Sequence, residues 1–151
     1  MVSEKLNIKN KKAYYDYEIT DKYVCGIQLL GSEIKSIREG KVSLNESFCF
    51  LKKDELWVKN MNIAEYKNAA HFGHEPDRIR KLLLKKKELK KIKVKITEKG
   101  FSVLPIKMFI SDRGFAKLEI GVSKGKRNYD KRHSIKEKEA SRMINRALKN
   151  R

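Results

Sequence analysis

The residues with the most evident chemistry stand together at His71-Phe72-Gly73-His74-Glu75-Pro76-Asp77, which gathers two imidazoles and two carboxylates. Such a set could hold a divalent cation, and with a basic surface to grip RNA it would describe a metal-dependent nuclease. The spacing argues against that. His71 and His74 flank Gly73 ahead of Pro76 and are not placed i, i+4 on a helix, and no third ligand is recognisable. They read as surface histidines of a loop. Cys25 and Cys49 are far apart in the chain and lie among apolar neighbours, so they read as buried free thiols. No G-x-x-x-x-G-K-[ST] loop, G-x-G-x-x-G turn or G-x-S-x-G elbow occurs. The sequence points away from catalysis, metals and cofactors.

Binding is better supported. Of 151 residues, 37 are Lys or Arg and 19 are Asp or Glu, a formal charge of +18 that favours a polyanionic partner. The cations come in blocks broken by apolar residues: Asn10-Lys11-Lys12, then Arg78, Arg80 and Lys81, then Lys85-Lys86-Lys87 and Lys90 to Lys99. They would stand on a folded surface, where each neutralised phosphate releases counterions. Arg78 and Arg80 are the more specific candidates, because a planar guanidinium can grip a phosphate bidentately or stack on a base. No apolar run nears the roughly 18 residues of a membrane span, and Met1 to Lys5 lacks a signal peptide's apolar core. A soluble, cytoplasmic protein is expected.

The elements that must position these groups fit one domain. The first ten or so residues are polar and unpatterned, so residues 1–9 are expected to be flexible. Tyr14 to Leu30 alternates like a strand, with a turn expected at Thr20-Asp21-Lys22. Leu30, Ile34 and Ile37 have helical spacing, closed by Gly40. Phe48–Leu51 and Leu56–Tyr66 form one predicted hairpin, and Phe101–Ile110 and Phe115–Val122 another, turning at Gly114. About six strands with short turns avoid open edges most simply as a barrel. Lys90–Thr97 is ambiguous: Ile92, Val94 and Ile96 alternate, while Leu89, Ile92 and Ile96 fit a helical stripe, and periodicity alone slightly favours the strand.

Beyond Val122 the composition changes. Lys124-Gly125-Lys126-Arg127-Asn128-Tyr129-Asp130-Lys131-Arg132 has nothing to bury, and Tyr129 could stack on an exposed base or simply be a solvated tyrosine. Ser134 and Glu137 then make a capping box ahead of an Ala140, Met143, Ile144, Ala147, Leu148 stripe, a helix that needs a surface to form.

Four phrases in order carry a resemblance: Asn10-Lys11-Lys12-Ala13, Gly31-Ser32-Glu33-Ile34-Lys35-Ser36-Ile37-Arg38, Pro76-Asp77-Arg78-Ile79-Arg80-Lys81-Leu82-Leu83-Leu84, and Gly125 to Arg132. Together they resemble the SsrA-binding protein (small protein B) family of bacteria over nearly the whole chain. The resemblance implies a mainly β, OB-like six-stranded antiparallel barrel with about three flanking helices, one of them after Leu84. It implies a barrel at 10–123 and a basic tail at 124–151 that turns helical on the ribosome. The implied role is a monomeric, non-catalytic adaptor of trans-translation. Such a protein binds the tRNA-like domain of transfer-messenger RNA, reaches elongation factor Tu only through that RNA, and probes the 16S rRNA decoding centre and empty mRNA channel of a stalled ribosome. Residue by residue, Asn10, Lys11, Lys12, Arg78, Arg80, Lys81 and Leu83 fall to the RNA interface. Lys124, Lys126, Arg127, Tyr129, Asp130, Lys131, Arg132 and Leu148 fall to the ribosome-contacting tail. Two positions depart: Val24 stands where the family commonly has an RNA-contacting Glu, and Ala140 where it often has Trp. The rival readings are a constitutive ribosomal protein, which would stay on ribosomes at high salt, and the metal-dependent enzyme, which a chelator would expose.

Overall fold

The structure, a computed structural model, describes residues 6–66, 73–98 and 100–125. In chain order the elements are β1 (Asn7–Lys9), α1 (Lys11–Asp16), β2 (Tyr17–Ile27), α2 (Gly31–Arg38), β3 (Val42–Ser43), β4 (Phe48–Lys52), β5 (Glu55–Lys59), β6 (Asn62–Ile63), β7 (Arg80–Leu83), α3 (Lys86–Thr97), β8 (Phe101–Ile110) and β9 (Ala116–Gly125). Six strands close a ring: β2 pairs with β7, β7 with β5, β5 with β4, β4 with β8, β8 with β9, and β9 again with β2, all antiparallel. This is the expected six-stranded barrel. Short strands β3 and β6 pair separately.

Alternation explains the ring. In β9, Leu118, Ile120 and Val122 are buried in the core while Lys117 and Glu119 are partly solvated, the period of a strand with one face inward. Ile37 from α2 and Ile92 from α3 join Val58, Met108 and Leu118 in the same fully buried cluster. A second, smaller cluster of Ala13, Leu104 and Ile106 lies under α1, so β8 is buried on both faces for part of its length.

Four expectations need correction. Asn7–Lys9 lies in the sheet, paired with Phe109, Met108 and Lys107 of β8, so the N-terminal lead is ordered from there. The strand expected from Tyr14 begins at Tyr17, because the Asn10 side chain accepts from the Ala13 amide at 3.3 Å and starts α1. Thr20-Asp21-Lys22 is no turn: β2 runs through it with a register shift between Ile19 and Asp21, and Thr20 Oγ1 donates to the Val122 carbonyl at 3.0 Å. That is a bulge, which bends a long strand without ending it. The segment expected as one strand from Leu56 to Tyr66 is split at Asn60, whose φ of 63° turns the chain out of β5.

Elsewhere local chemistry predicts well. Gly40 at φ 77° ends α2, with the Lys41 amide donating to the Ser36 carbonyl and the Gly40 amide to that of Ile37, a Schellman pair. Lys53 and Asp54 both take positive φ and turn the β4–β5 hairpin tightly. Lys86–Thr97 is a helix, as the family resemblance implied and against the slight strand preference. Ile92 is buried and Leu89 and Ile96 pack on the core, whereas Val94, which a strand would place beside them, is 61% exposed. Cys25 and Cys49 are buried and free, and burial pushes the Cys25 thiol up to about 12. Among the described residues no helix is long and apolar enough to cross a membrane.

Barrel closure leaves no room at Gly121, where a Cβ would meet Ile19 Cγ2 at 3.0 Å and Ile106 Cγ2 at 3.3 Å. Gly121→Ala is expected to cost about 1–3 kcal/mol by overpacking. Urea denaturation should show a lower midpoint with an unchanged slope.

Candidate nucleic-acid interface

The residues expected to bind RNA divide into three groups once folded. In the first, Leu83 on β7 is 46% exposed and sits directly opposite Gly26 of β2, which in turn faces Lys117 of β9. A Cβ at Gly26 would touch Leu83 Cβ at 3.4 Å, so the glycine keeps the leucine side chain uncovered. Two residues earlier on β2, Val24 is 51% exposed and pairs with Glu119. Beside this row opens a cavity of about 440 Å³ with Leu30 and Phe115 at its apolar wall and Arg38, Arg113 and Lys117 around it. Phe115, at 63%, is the most exposed large apolar residue described, lifted by the turn at Gly114. An uncovered apolar surface ringed by cations accepts the flat face of a base or ribose while holding flanking phosphates. Lys81, also on β7, is half-buried and pairs with Glu55 at 2.9 Å.

Sequence reading missed Lys117, Phe115, Leu30, Arg38 and Arg113. Phe115 directly after a turn glycine was the one available signal; the rest come from distant segments that only the barrel joins.

The second group is structural. Arg80 is fully buried, with Nε donating to Glu33 Oε2, Nη1 to the Met61 carbonyl at 2.7 Å and Nη2 to the Pro76 carbonyl at 3.1 Å. Its choice as a phosphate-gripping residue is therefore corrected: every face of the guanidinium meets protein. Arg78, partly exposed, donates from Nη2 to Glu33 Oε1 at 2.6 Å and to the Gln28 carbonyl at 3.4 Å. The Glu33 carboxylate also accepts from the Leu30 amide at 2.7 Å, which caps α2. Burial by itself would raise the Glu33 pKa, but the donors of Arg78, Leu30 and Arg80 outweigh it and hold the carboxyl below the usual range. Burial lowers the Arg80 pKa, opposed by Glu33. His74 is likewise no surface residue. It is buried, with Nε2 donating to the Ile63 carbonyl at 2.9 Å and Nδ1 2.8 Å from Ser32 Oγ, so both ring nitrogens are engaged. Among the described residues no three metal-binding side chains converge. His71 lies outside them.

The third group stands apart from Leu83. Asn10 is buried, donating from Nδ2 to the carbonyls of Leu44 (3.1 Å) and Pro105 (2.9 Å), which corrects its reading as an RNA contact: it anchors α1. Lys11 and Lys12 are exposed on that helix, Lys12 in a surface pair with Glu46 at 3.1 Å. Lys124 is exposed near the end of β9, opposite Phe101. The tail residues Lys126, Arg127, Tyr129, Asp130, Lys131, Arg132 and Leu148, and the helix expected from Ser134, lie outside the described residues.

A cationic antiparallel OB-like barrel with an apolar, cation-ringed outer face defines a nucleic-acid-binding module. Comparison with known proteins narrows the class. The model of the SmpB protein family matches residues 7–150. The SsrA-binding protein of Bacteroides thetaiotaomicron is 52% identical over 149 residues, covering 99% of each chain, and that of Christiangramia forsetii is 49% identical over 144 residues, covering 95% of this chain and 92% of its own. A solved chain described as "tmRNA-SmpB: a journey to the center of the bacterial ribosome" superposes with a TM-score of 0.70 at 38% identity, covering 86% of this chain and 94% of its own. The chain belongs to the SmpB protein family.

The Glu33 network makes two tests. Arg80→Ala removes the fully buried one of the two guanidinium partners of Glu33 and should destabilise by about 3 kcal/mol in chemical denaturation, Arg78 still pairing with the carboxylate. Because the folded pKa of Glu33 is depressed, its stabilisation is complete above the unfolded value of about 4.3 and is lost as pH falls through the folded one. Thermal melts of Glu33→Gln should show a lower midpoint at pH 7 and a flatter acid limb than the parent chain.

Proposed function

We propose that this chain is a non-catalytic RNA-binding adaptor of trans-translation. The barrel binds the tRNA-like domain of transfer-messenger RNA, and the complex enters ribosomes stalled without a stop codon. The observation that carries the reading is the row Leu83, Gly26, Lys117 beside the Phe115 cavity: an apolar contact face with cations at its edge, on a chain about half identical to proteins named for binding SsrA. A folded tRNA elbow offers unstacked loop bases against phosphate ridges, which matches such a face. Val24 gives the row an apolar neighbour, and the nearby carboxylate belongs to Glu119, paired with Lys107 at 3.7 Å.

The division of labour follows from the chain's layout. The barrel and the RNA face run to Gly125, two residues past the expected boundary at 123. The basic residues from there to 151 act as the tail, in which Tyr129 stacks at the 16S rRNA decoding centre and the stripe ending at Leu148 lies in the vacant mRNA channel. Elongation factor Tu meets the protein only through the RNA. The protein works as a cytoplasmic monomer.

Leu83→Glu, at an exposed site, should leave the melting temperature unchanged and weaken binding to a tRNA-like RNA by about tenfold or more, since it removes an apolar contact and adds a charge facing phosphate. Tyr129→Ala should leave that affinity intact and lower peptide tagging on stalled ribosomes. Equal losses of affinity from both variants would contradict the division, and a wild-type chain with no preference for tRNA-like RNA over bulk transcripts would overturn the reading.

A further inference from the structure

Strands β4 and β8 share one register pair, Cys49 with Val103, so the barrel wall parts beside it. A cavity of about 600 Å³ opens at this seam, large enough for a nucleotide-sized ligand. Its lining is aromatic: Phe48 and Phe50, with ring centroids 6.2 Å apart and planes tilted 51°, together with Phe101 and Tyr17. Phe48 is 37% exposed, although an apolar side chain on a strand is normally covered. Cations stand over the Phe101 ring and at one wall of the cavity. Lys95 Nζ stands 4.9 Å from the Phe101 centroid and Lys124 Nζ 6.0 Å from it, while Lys12 stands at the α1 side.

We infer that this seam is a second nucleic-acid site, which takes an unpaired base of a single-stranded RNA segment. Phenyl rings supply a stacking surface that any base can use, and the lysines hold the adjoining phosphates. The Lys12–Glu46 pair is exposed and weak, so Lys12 exchanges one anion for another at little cost. The acidic groups at the cavity are Asp16 and Glu46, the latter paired with Lys12, and they suit the amino edge of a base better than a bare phosphate. The site is separate from the Leu83 face: the two cavities have no lining residue in common. It also lies where the tail leaves the barrel, since Tyr17 and Phe101 of its lining pair with Gly125 and Lys124.

The inference rests on the RNA-binding reading above, and its test separates the two. The full chain is titrated into a single-stranded RNA heptamer bearing one 2-aminopurine, and separately into a folded tRNA-like RNA. Fluorescence should be quenched as the base stacks. Phe48→Ala should weaken heptamer binding by about tenfold, Phe48→Trp should restore it, and neither should change the affinity for the folded RNA. Lys124→Ala, away from the core, should reduce both heptamer affinity and its salt dependence. Heptamer binding unaffected by Phe48→Ala, or equal weakening toward both RNAs, overturns the inference. Heptamer affinity that rises on Leu148→Glu would give the seam to the chain's own tail and overturn it as well. Quenching that responds to Phe48 while the folded RNA shows no preference over bulk transcripts supports the seam and sinks only the adaptor reading.

Discussion

One buried carboxylate joins the elements that frame the proposed RNA face. Glu33 caps the helix α2 through the Leu30 amide and receives the guanidinium groups of Arg78 and Arg80, which come from the segment leading into β7. Arg80 then ties the carbonyls of Met61 and Pro76, and so the chain on either side of residues 67–72, into the same network. A buried ion pair contributes little net stability over apolar packing, yet removing one partner is costly, so the network's main effect is geometric. It sets α2 against β7, and thereby sets Leu30 and Arg38 beside Leu83. The apolar row and its cationic rim exist as one surface because these elements hold that angle.

The barrel supplies the other constraint. Ring closure needs β2 and β8 to serve two or more partners each, which explains the bulge at Thr20 and the crowding at Gly121. Where pairing is dense, as between β8 and β9, the wall is solid. Where it thins to Cys49 and Val103, aromatic side chains and lysines gather around an opening. The basic charge of the chain is thus distributed over distinct surfaces, each with its own apolar complement.

Much of this was legible in the residues. Two hairpins, the α2 cap at Gly40 and the buried state of both cysteines follow from local rules, which act within a few positions. The errors share one cause. Tyr14 and Tyr15 alternate plausibly with Tyr17, but the Asn10 cap imposes a helix first; Val94 alternates with its neighbours, but a helix turns it to solvent. Short periodic runs fit both elements until packing selects one. The candidate site was read less well than the fold, because Leu83 was found through a motif while Lys117 and Phe115 had none.

By itself the sequence determined the strand alternation, the cationic excess, the two hairpin turns and, through four ordered phrases, the family. Only tertiary structure decided which charged groups reach solvent. Arg78, Arg80 and Lys81 stand in one basic block along the chain, yet Arg80 is fully enclosed, Arg78 is bound to Glu33 and Lys81 is paired with Glu55. The physical reason is that a charge's role depends on the partner brought to it: Glu33 lies 47 residues from Arg80 in sequence, and only barrel closure places one against the other.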